Sequence, residues 1–232
     1  MKKFFAQREE DQFVFVDDEL SHFNVLRCKI GEQIICLGND GFDYLCEVEQ
    51  ITKKQARAKI ISKTLNNKNP KKNITIFQAL VKGEKADLIV QKLTELGVSK
   101  LVMFESKFAV AKANNNKISR LNKISEEACK QCGRSIPLNI CEIMSFEGML
   151  NQLNNFDVVL FANEKNTLRN FDALKSAQNI AIVVGSEGGF SDEEINQIKS
   201  KGATEFGLGS RILRAETACI AMSAIIGFFI DV

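Results

Sequence analysis

The chain has 232 residues, of which 45% are hydrophobic and 26% are charged, and its formal net charge is +2. This composition supplies a sizeable core and excludes wholesale disorder. The small net charge lacks the strong basic excess typical of nucleic-acid binders, so any RNA contact must come from local patches. Seven scattered cysteines and a charged N-terminus without a signal-peptide pattern predict reduced thiols and a cytoplasmic protein.

Residues 1–68 carry the short strand patterns of a small β-barrel. Residues 18–27 have helical spacing, and Asn39-Asp40-Gly41 is a strong hairpin signal. The predicted strands are residues 2–6, 12–16, 33–37, 42–48 and 56–61. The polar segment 64–73 is interpreted as an interdomain linker, after which a second domain is predicted at 74–232.

The second domain alternates strands with helices. The predicted strands are residues 74–81, 101–104, 157–161, 180–184 and 204–208, and the clearest helices are residues 86–96 and 118–132. A weaker strand and helix are expected between residues 138 and 153. This alternation predicts a parallel sheet with helices on both faces. The apolar run 217–230 is a helix too short to cross a bilayer, which needs about 20 residues, so no membrane partner is expected.

A glycine-rich loop, Gly185-Ser186-Glu187-Gly188-Gly189, follows the apolar strand 180–184. Ser191 and Glu194 predict a capping box at the start of the next helix. The loop has no lysine and its glycines do not match the dinucleotide-binding spacing, while its carboxylate would repel phosphate. The pattern therefore favours a cationic ligand without phosphate, such as S-adenosylmethionine (AdoMet), although a plain tight turn remains an alternative.

A second segment, LGSRILRAETA at residues 208–218, brings two arginines and a glutamate to the start of the last helix. Together with GSEGGFSDEE, it closely resembles the GPEGG and LG-x-R-[IV]-LR-x-ETA motifs of the RsmE family. These proteins are uracil-N3 methyltransferases of small-subunit ribosomal RNA, in the SPOUT (trefoil-knot) superfamily. Matches upstream at residues 22–27, 82–98 and 127–137 extend the resemblance over essentially the whole chain.

The resemblance implies a fold, a cofactor and partners. It implies a PUA-like, RNA-binding β-barrel at residues 1–68 and a knotted α/β methyltransferase domain at 74–232. It also implies AdoMet as cofactor, one uridine of 16S ribosomal RNA in the small subunit as substrate, and a homodimer. A barrel with a purely structural role remains an alternative for residues 1–68. Two positions depart from the family pattern: Ser186 replaces a proline, and Glu105-Ser106-Lys107 lacks the usual arginine.

The resemblance also implies the roles of individual residues. The donor pocket would be made from three strand ends, with these cofactor-binding residues: Phe161, Ala162, Val184, Gly185, Glu187, Gly188, Gly189, Leu208, Gly209, Ile212 and Leu213. The predicted catalytic residues are Arg211, Arg214 and Glu216, since an arginine can stabilise charge on the uracil oxygens and a glutamate can accept the N3 proton. An ion pair that fixes the last helix is the alternative for Arg214 and Glu216.

Five cations are candidate RNA contacts: Arg27, Lys82, Lys85, Lys92 and Arg134. A merely solvated role is equally open for the lysines. Cys129 and Cys132 form a C-x-x-C pattern, but a structural zinc site needs four ligands and the only histidine, His22, lies in the other domain. No metal is therefore expected. Two alternative functions stay open, a Rossmann-type nucleotide-binding enzyme and a non-catalytic binder of ribosomal RNA.

Overall fold

The computed structural model describes residues 1–114, 117–163 and 172–231. The chain divides into two compact units. The first unit contains Met1–Asn69 and Cys129–Pro137, and the second contains Pro70–Ala128 and Leu138–Val232. The short segment Cys129–Pro137 therefore packs with the N-terminal residues although it lies far away in sequence.

The first unit is built on a six-stranded sheet in the order β1-β4-β5-β6-β3-β2. Its elements are β1 (Lys3–Phe5), β2 (Gln7–Glu9), β3 (Gln12–Phe15), α1 (Asp17–Val25), β4 (Gln33–Leu37), β5 (Phe42–Ile51) and β6 (Ala56–Leu65). The predicted hairpin turn joins β4 to β5, where Asn39 and Gly41 have φ angles of 58° and 88°. The pairing of β5 with β6 shifts register twice, and such bulges increase the twist that curls a sheet.

Aromatic side chains fill the core of this unit. Phe4, Phe13, Phe15, Phe23 and Tyr44 are all almost completely buried. The Phe15 ring lies 5.4 Å from the Phe4 ring and 4.9 Å from the Phe23 ring, measured between centroids. Because Phe23 belongs to α1, these contacts pack the helix against the inner face of the curled sheet.

The second unit is a parallel sheet with helices on both faces. Its elements are β7 (Asn73–Ala79), α2 (Lys85–Glu95), β8 (Lys100–Phe104), α3 (Ile118–Cys132), β9 (Asn139–Ile140), α4 (Phe146–Gln152), β10 (Val158–Ala162), α5 (Asp172–Ser176), β11 (Asn179–Val184), α6 (Asp192–Ser200), β12 (Thr204–Phe206) and α7 (Ala215–Asp231). The last residues of α3, from Cys129, belong to the first unit. The strand order is β12-β10-β11-β7-β8-β9, and every pairing is parallel. The predicted α/β architecture is confirmed.

Both faces of this sheet are buried, which explains the nearly continuous apolar strands. Along β11, Ile180 and Ile182 enter one hydrophobic cluster with α2, α5 and α7, while Ala181 and Val183 enter another with α4 and α6. The strands β12, β10 and β11 are neighbours, so their carboxyl ends meet at one edge of the sheet. That edge carries the segments that the sequence singles out.

The last helix, α7, packs against α2 and β11. Met222 and Ile226 are fully buried, whereas the side chain of Phe228 is 69% exposed. Among the described residues, the helices all fall short of the length and apolar character that a membrane span requires.

Candidate active site

Three neighbouring strand ends of the second unit surround a cavity of about 290 Å³. Ala162 ends β10 and Asn163 follows it, residues 185–190 follow β11, and residues 208–213 follow β12. Open α/β sheets bind ligands at this position, outside the carboxyl ends of the strands. The volume lies near the lower end of the range of small-molecule pockets, about 300–1,000 Å³.

The glycine loop is a tight turn that is held by a hydrogen bond from a buried side chain of β7. The Gly189 backbone N–H donates to the Ser186 carbonyl at 3.0 Å, and Gly189 has a φ of 68°, which glycine adopts without strain. A β-carbon at Gly185 would lie only 3.1 Å from the Gly189 carbonyl carbon. The buried Gln78 donates from Nε2 to the Gly185 carbonyl at 2.9 Å, which ties the loop to β7.

The predicted capping box at the start of α6 is confirmed. The Glu194 backbone N–H donates to Ser191 Oγ at 3.3 Å, and the Ser191 backbone N–H donates to Glu194 Oε2 at 2.8 Å. The other carboxylate oxygen of Glu194 accepts a hydrogen bond from the Lys107 backbone N–H at 2.8 Å. One buried carboxylate thus holds both the helix start and the segment after β8.

Lys85 lies between two carboxylates beside the loop. Its Nζ donates to Glu187 Oε1 at 2.7 Å and lies 3.7 Å from Glu216 Oε2. The Lys82 backbone N–H also donates to Glu187 Oε1, at 3.1 Å. Partial burial acts to raise the pKa of Glu187, but the hydrogen bonds from Lys85 and the backbone outweigh it and lower that pKa. Glu187 is therefore an ionised, paired carboxylate rather than a free negative charge.

Of the three predicted catalytic residues, Arg211 belongs to the cavity lining, whereas Arg214 and Glu216 lie outside it. Arg214 is exposed directly before α7. Glu216 is only 8% exposed in the first turn of α7, where the helix dipole favours a negative charge. Its Oε2 accepts no hydrogen bond from the described residues, although Lys85 approaches it.

The predicted donor-pocket residues divide into two groups. The side chain of Phe161 is fully buried in the core beneath the site, and the next residue, Ala162, reaches the cavity. The other predicted residues that line the cavity are Val184, Gly185, Glu187, Gly188, Gly189, Leu208, Gly209, Ile212 and Leu213. Sequence reasoning missed further lining residues, namely Asn163, Phe190, Asp192, Ile195, Phe206, Ala215 and Ala218. The spacing of Ala215 and Ala218 on one face of α7 was the available signal.

The five candidate RNA contacts have different surroundings. Lys82 is exposed beside the glycine loop, whereas Lys92 donates to Glu95 on the same helix at 2.9 Å. Lys85 is the cation paired with Glu187 described above. In the first unit, Arg27 is exposed, but Arg134 has only 2% of its surface accessible for any ligand.

Comparison with known proteins decides the family. Residues 67–227 match the family model of an RNA methyltransferase domain, and residues 15–61 match that of an RNA methyltransferase PUA domain. The chain is 31% identical to ribosomal RNA small subunit methyltransferase E of Bacillus subtilis, over 97% of this chain and 96% of that protein. The chain belongs to the ribosomal RNA small subunit methyltransferase E family. The resemblance drawn from the sequence motifs is thereby confirmed.

Other members of the family agree in sequence and in structure. The methyltransferase E of Buchnera aphidicola from Acyrthosiphon pisum is 33% identical over 95% of this chain and 90% of its own length. The crystal structure of the methyltransferase E of Neisseria gonorrhoeae, bound to S-adenosyl methionine, has a TM-score of 0.91 and 26% identity. That likeness covers 99% of this chain and 98% of the other. The predicted fold class, a PUA-like unit followed by a SPOUT α/β unit, is confirmed.

Proposed function

We propose that this protein is an AdoMet-dependent methyltransferase that methylates N3 of one uridine in the 16S ribosomal RNA of the small subunit. Family membership supports methyl transfer from AdoMet to ribosomal RNA, because relatives are named for that activity and one of them binds the cofactor. The choice of uracil N3 rests on the motif resemblance. The observation that carries the proposal is the cavity where the glycine loop and the arginine segment meet.

The residues around this cavity fit AdoMet. The glycines expose backbone, Ile212 and Leu213 offer apolar surface for an adenine ring, and Ala215 and Ala218 leave room. Ser186 lines the cavity, and its hydroxyl oxygen is buried without a hydrogen-bond partner among the described residues. A buried polar atom of this kind needs a partner, and a bound ligand would supply one.

Residues of this chain would position the uracil base and accept the proton from its N3 atom. Bound AdoMet supplies an electrophilic methyl group on a sulfonium. Uracil N3 must lose its proton to become nucleophilic, and the negative charge then spreads to the flanking carbonyl oxygens. The exposed guanidinium of Arg214, helped by Arg211, would stabilise that charge, because arginine makes planar, bidentate contacts. Glu216, or a water that it orients, would accept the proton while Lys85 holds the carboxylate in place.

The proposal extends to a homodimer in which α7 forms part of the subunit interface. The side chain of Phe228 is 69% exposed on this helix, and protein interfaces are enriched in aromatic residues. Sedimentation analysis at micromolar concentration should give a mass of twice the 25.9 kDa chain. A mass of a single chain would contradict the dimer and leave the proposed chemistry intact.

A methylation assay tests the proposed function. The protein would be incubated with labelled AdoMet and with small ribosomal subunits from a strain that lacks the endogenous enzyme, and the labelled nucleoside would then be identified after digestion. We expect N3-methyluridine. Label in another nucleoside would overturn the choice of substrate atom, and absence of both label and AdoMet binding would overturn the methyltransferase proposal.

A comparison of two arginine variants tests whether methyl transfer depends on the candidate active site. Arg214→Ala should reduce transfer at least a hundredfold, since it removes a charge that acts on the reacting base. Arg57→Ala is the matched control, because Arg57 is a half-buried arginine of the first unit, 3.7 Å from Glu9. Equal losses in the two variants would contradict the role of Arg214.

A further inference from the structure

Phe108 is an aromatic side chain that the fold leaves exposed. Its surface is 45% accessible, and Phe228 on α7 is the other exposed aromatic residue among those the structure describes. Most phenylalanines among the described residues are buried in the hydrophobic clusters of the two units. A single exposed ring is common on protein surfaces, so a contact surface is indicated only by where this ring lies and by what surrounds it.

The position of Phe108 connects it to the donor cavity. A β-carbon built at Gly188 would lie 2.7 Å from Cβ of Phe108, so the two residues are in direct contact only because position 188 is glycine. Gly188 itself lines the donor cavity. Phe108 thus contacts the glycine loop at a residue that lines the cavity, while Phe108 itself lies outside the cavity lining.

Hydrogen bonds hold the segment that carries Phe108. The Glu105 backbone N–H donates to the Met144 carbonyl at 3.0 Å, and the Ala109 backbone N–H donates to the Ser106 carbonyl at 3.0 Å. Between them, the Lys107 backbone N–H donates to the buried carboxylate of Glu194 at 2.8 Å. The backbone on both sides of the ring is therefore positioned before any substrate arrives, which reduces the ordering cost of binding.

The surroundings of the ring suit a nucleotide. Lys82, Lys107 and Lys112 are exposed cations on the same unit, and Lys82 lies beside Glu187 of the glycine loop. Lysines attract the phosphates of a nucleic-acid strand, and an aromatic face stacks on any base. An acidic or purely apolar partner would use only one of these two features.

We propose that Phe108 is the stacking platform for the pyrimidine base that receives the methyl group. This proposal rests on the proposed function, since it assigns the base-binding side of the same site. N3 of a paired uracil is hidden in the duplex, so the base must leave its strand and be held by the protein. A ring beside Gly188 can hold the base next to the donor cavity, while the nearby lysines contact the adjoining phosphates.

The kinetics of Phe108 variants distinguish base stacking from simple apolar contact. Phe108→Ala should lower kcat/KM for small ribosomal subunits about ten- to a hundredfold, the range of losses when a stacked aromatic is removed. Phe108→Tyr should stay within about threefold of the unmodified protein, Phe108→Leu should resemble the alanine variant, and the Kd for AdoMet should change less than twofold in all three. Full activity of Phe108→Ala, equal activity of the leucine and tyrosine variants, or a parallel loss of AdoMet affinity would overturn the proposal.

A fluorescence titration tests the stacking without requiring turnover. The chain contains no tryptophan, so Phe108→Trp introduces a single indole at this position. Oligouridylate should quench its emission, whereas an abasic oligonucleotide of equal length should not, and Phe228→Trp should respond to neither. Quenching by oligouridylate, when the unmodified protein transfers no methyl group, would overturn the proposed function and leave Phe108 as a residue that stacks on RNA bases. No quenching, or equal quenching by the abasic strand, would overturn the platform.

Discussion

The two units of the molecule use their side chains in opposite ways. In the first unit, here called the barrel unit, the aromatic side chains pack against one another. Phe4, Phe13, Phe15 and Phe23 have no accessible surface. In the α/β unit, the core ends at the carboxyl edge of the sheet, where glycines and polar side chains line a cavity and Lys85 pairs with Glu187 of its lining. The comparison indicates that barrel-core residues serve stability, while residues at the strand ends serve chemistry.

The largest expected effect lies in the barrel core. Phe15→Ala should destabilise the barrel unit by about 3–5 kcal/mol, because it removes a fully buried ring and leaves a cavity between Phe4 and Phe23. Denaturant unfolding measures this loss. Below the unfolding transition, the Kd for AdoMet should change less than twofold, since every cavity-lining residue belongs to the other unit. A tenfold loss of AdoMet affinity would contradict the claim that residues of the barrel core serve stability alone.

The next effect lies in the glycine loop and concerns the affinity for AdoMet. Gly185→Val should weaken AdoMet binding by about a hundredfold or more, because even a β-carbon there would lie 3.1 Å from Gly189 and 3.3 Å from the Phe190 ring. Titration calorimetry measures the affinity. Gly148→Ala is the control, since Gly148 lies on α4 outside the cavity lining. Unchanged affinity of Gly185→Val would contradict the position of the site.

The ion pairs of Lys85 with Glu187 and Glu216 predict an effect of intermediate size on the activity and on its pH dependence. Lys85→Met should lower kcat/KM about tenfold, because Glu187 and Glu216 lose their shared cation. Lys85 lowers the pKa of Glu187, so without it the carboxylate protonates at a higher pH and the acid limb of the activity profile should move upward. Lys175→Met is the control, because Lys175 pairs with Asp172 on α5, outside the cavity lining. An acid limb that stays in place would contradict the role of Lys85.

The smallest effect concerns a thiol of the barrel unit. The hydrogen bond from Cys129 lowers the pKa of Cys132 to about 6, against the cost of burial. Peptide-resolved iodoacetamide labelling should therefore show a midpoint near this pH, and Cys129→Ala should raise it. Because the folded-state pKa is depressed, the stabilisation is present above the ordinary thiol pKa and is lost as the pH falls through about 6. A midpoint near the ordinary thiol value would contradict the hydrogen bond.

The sequence predicts the local elements of both units better than the contacts between residues that are far apart in the chain. Period-two and helical spacings identify most strands and helices. The glycine loop and Arg211 identify the cavity, because motif residues at strand ends need only the sheet order to meet. Long-range contacts are not visible in such local patterns. The packing of Cys129–Pro137 with the barrel unit, the burial of Arg134 and the bridging position of Lys85 each depend on residues far away in sequence. Phe108 gave no signal, since a single phenylalanine has no periodicity.

Hydrogen exchange of the full chain with and without AdoMet tests the central claim most directly. Binding should protect backbone amides at residues 162–163, 184–190 and 208–215, where the three strand ends meet. The barrel strands at residues 3–65 should show no change. Protection confined to the strand ends would support the assignment of chemistry to the α/β unit. Protection centred on the barrel strands, or no protection at the glycine loop under saturating AdoMet, would contradict it.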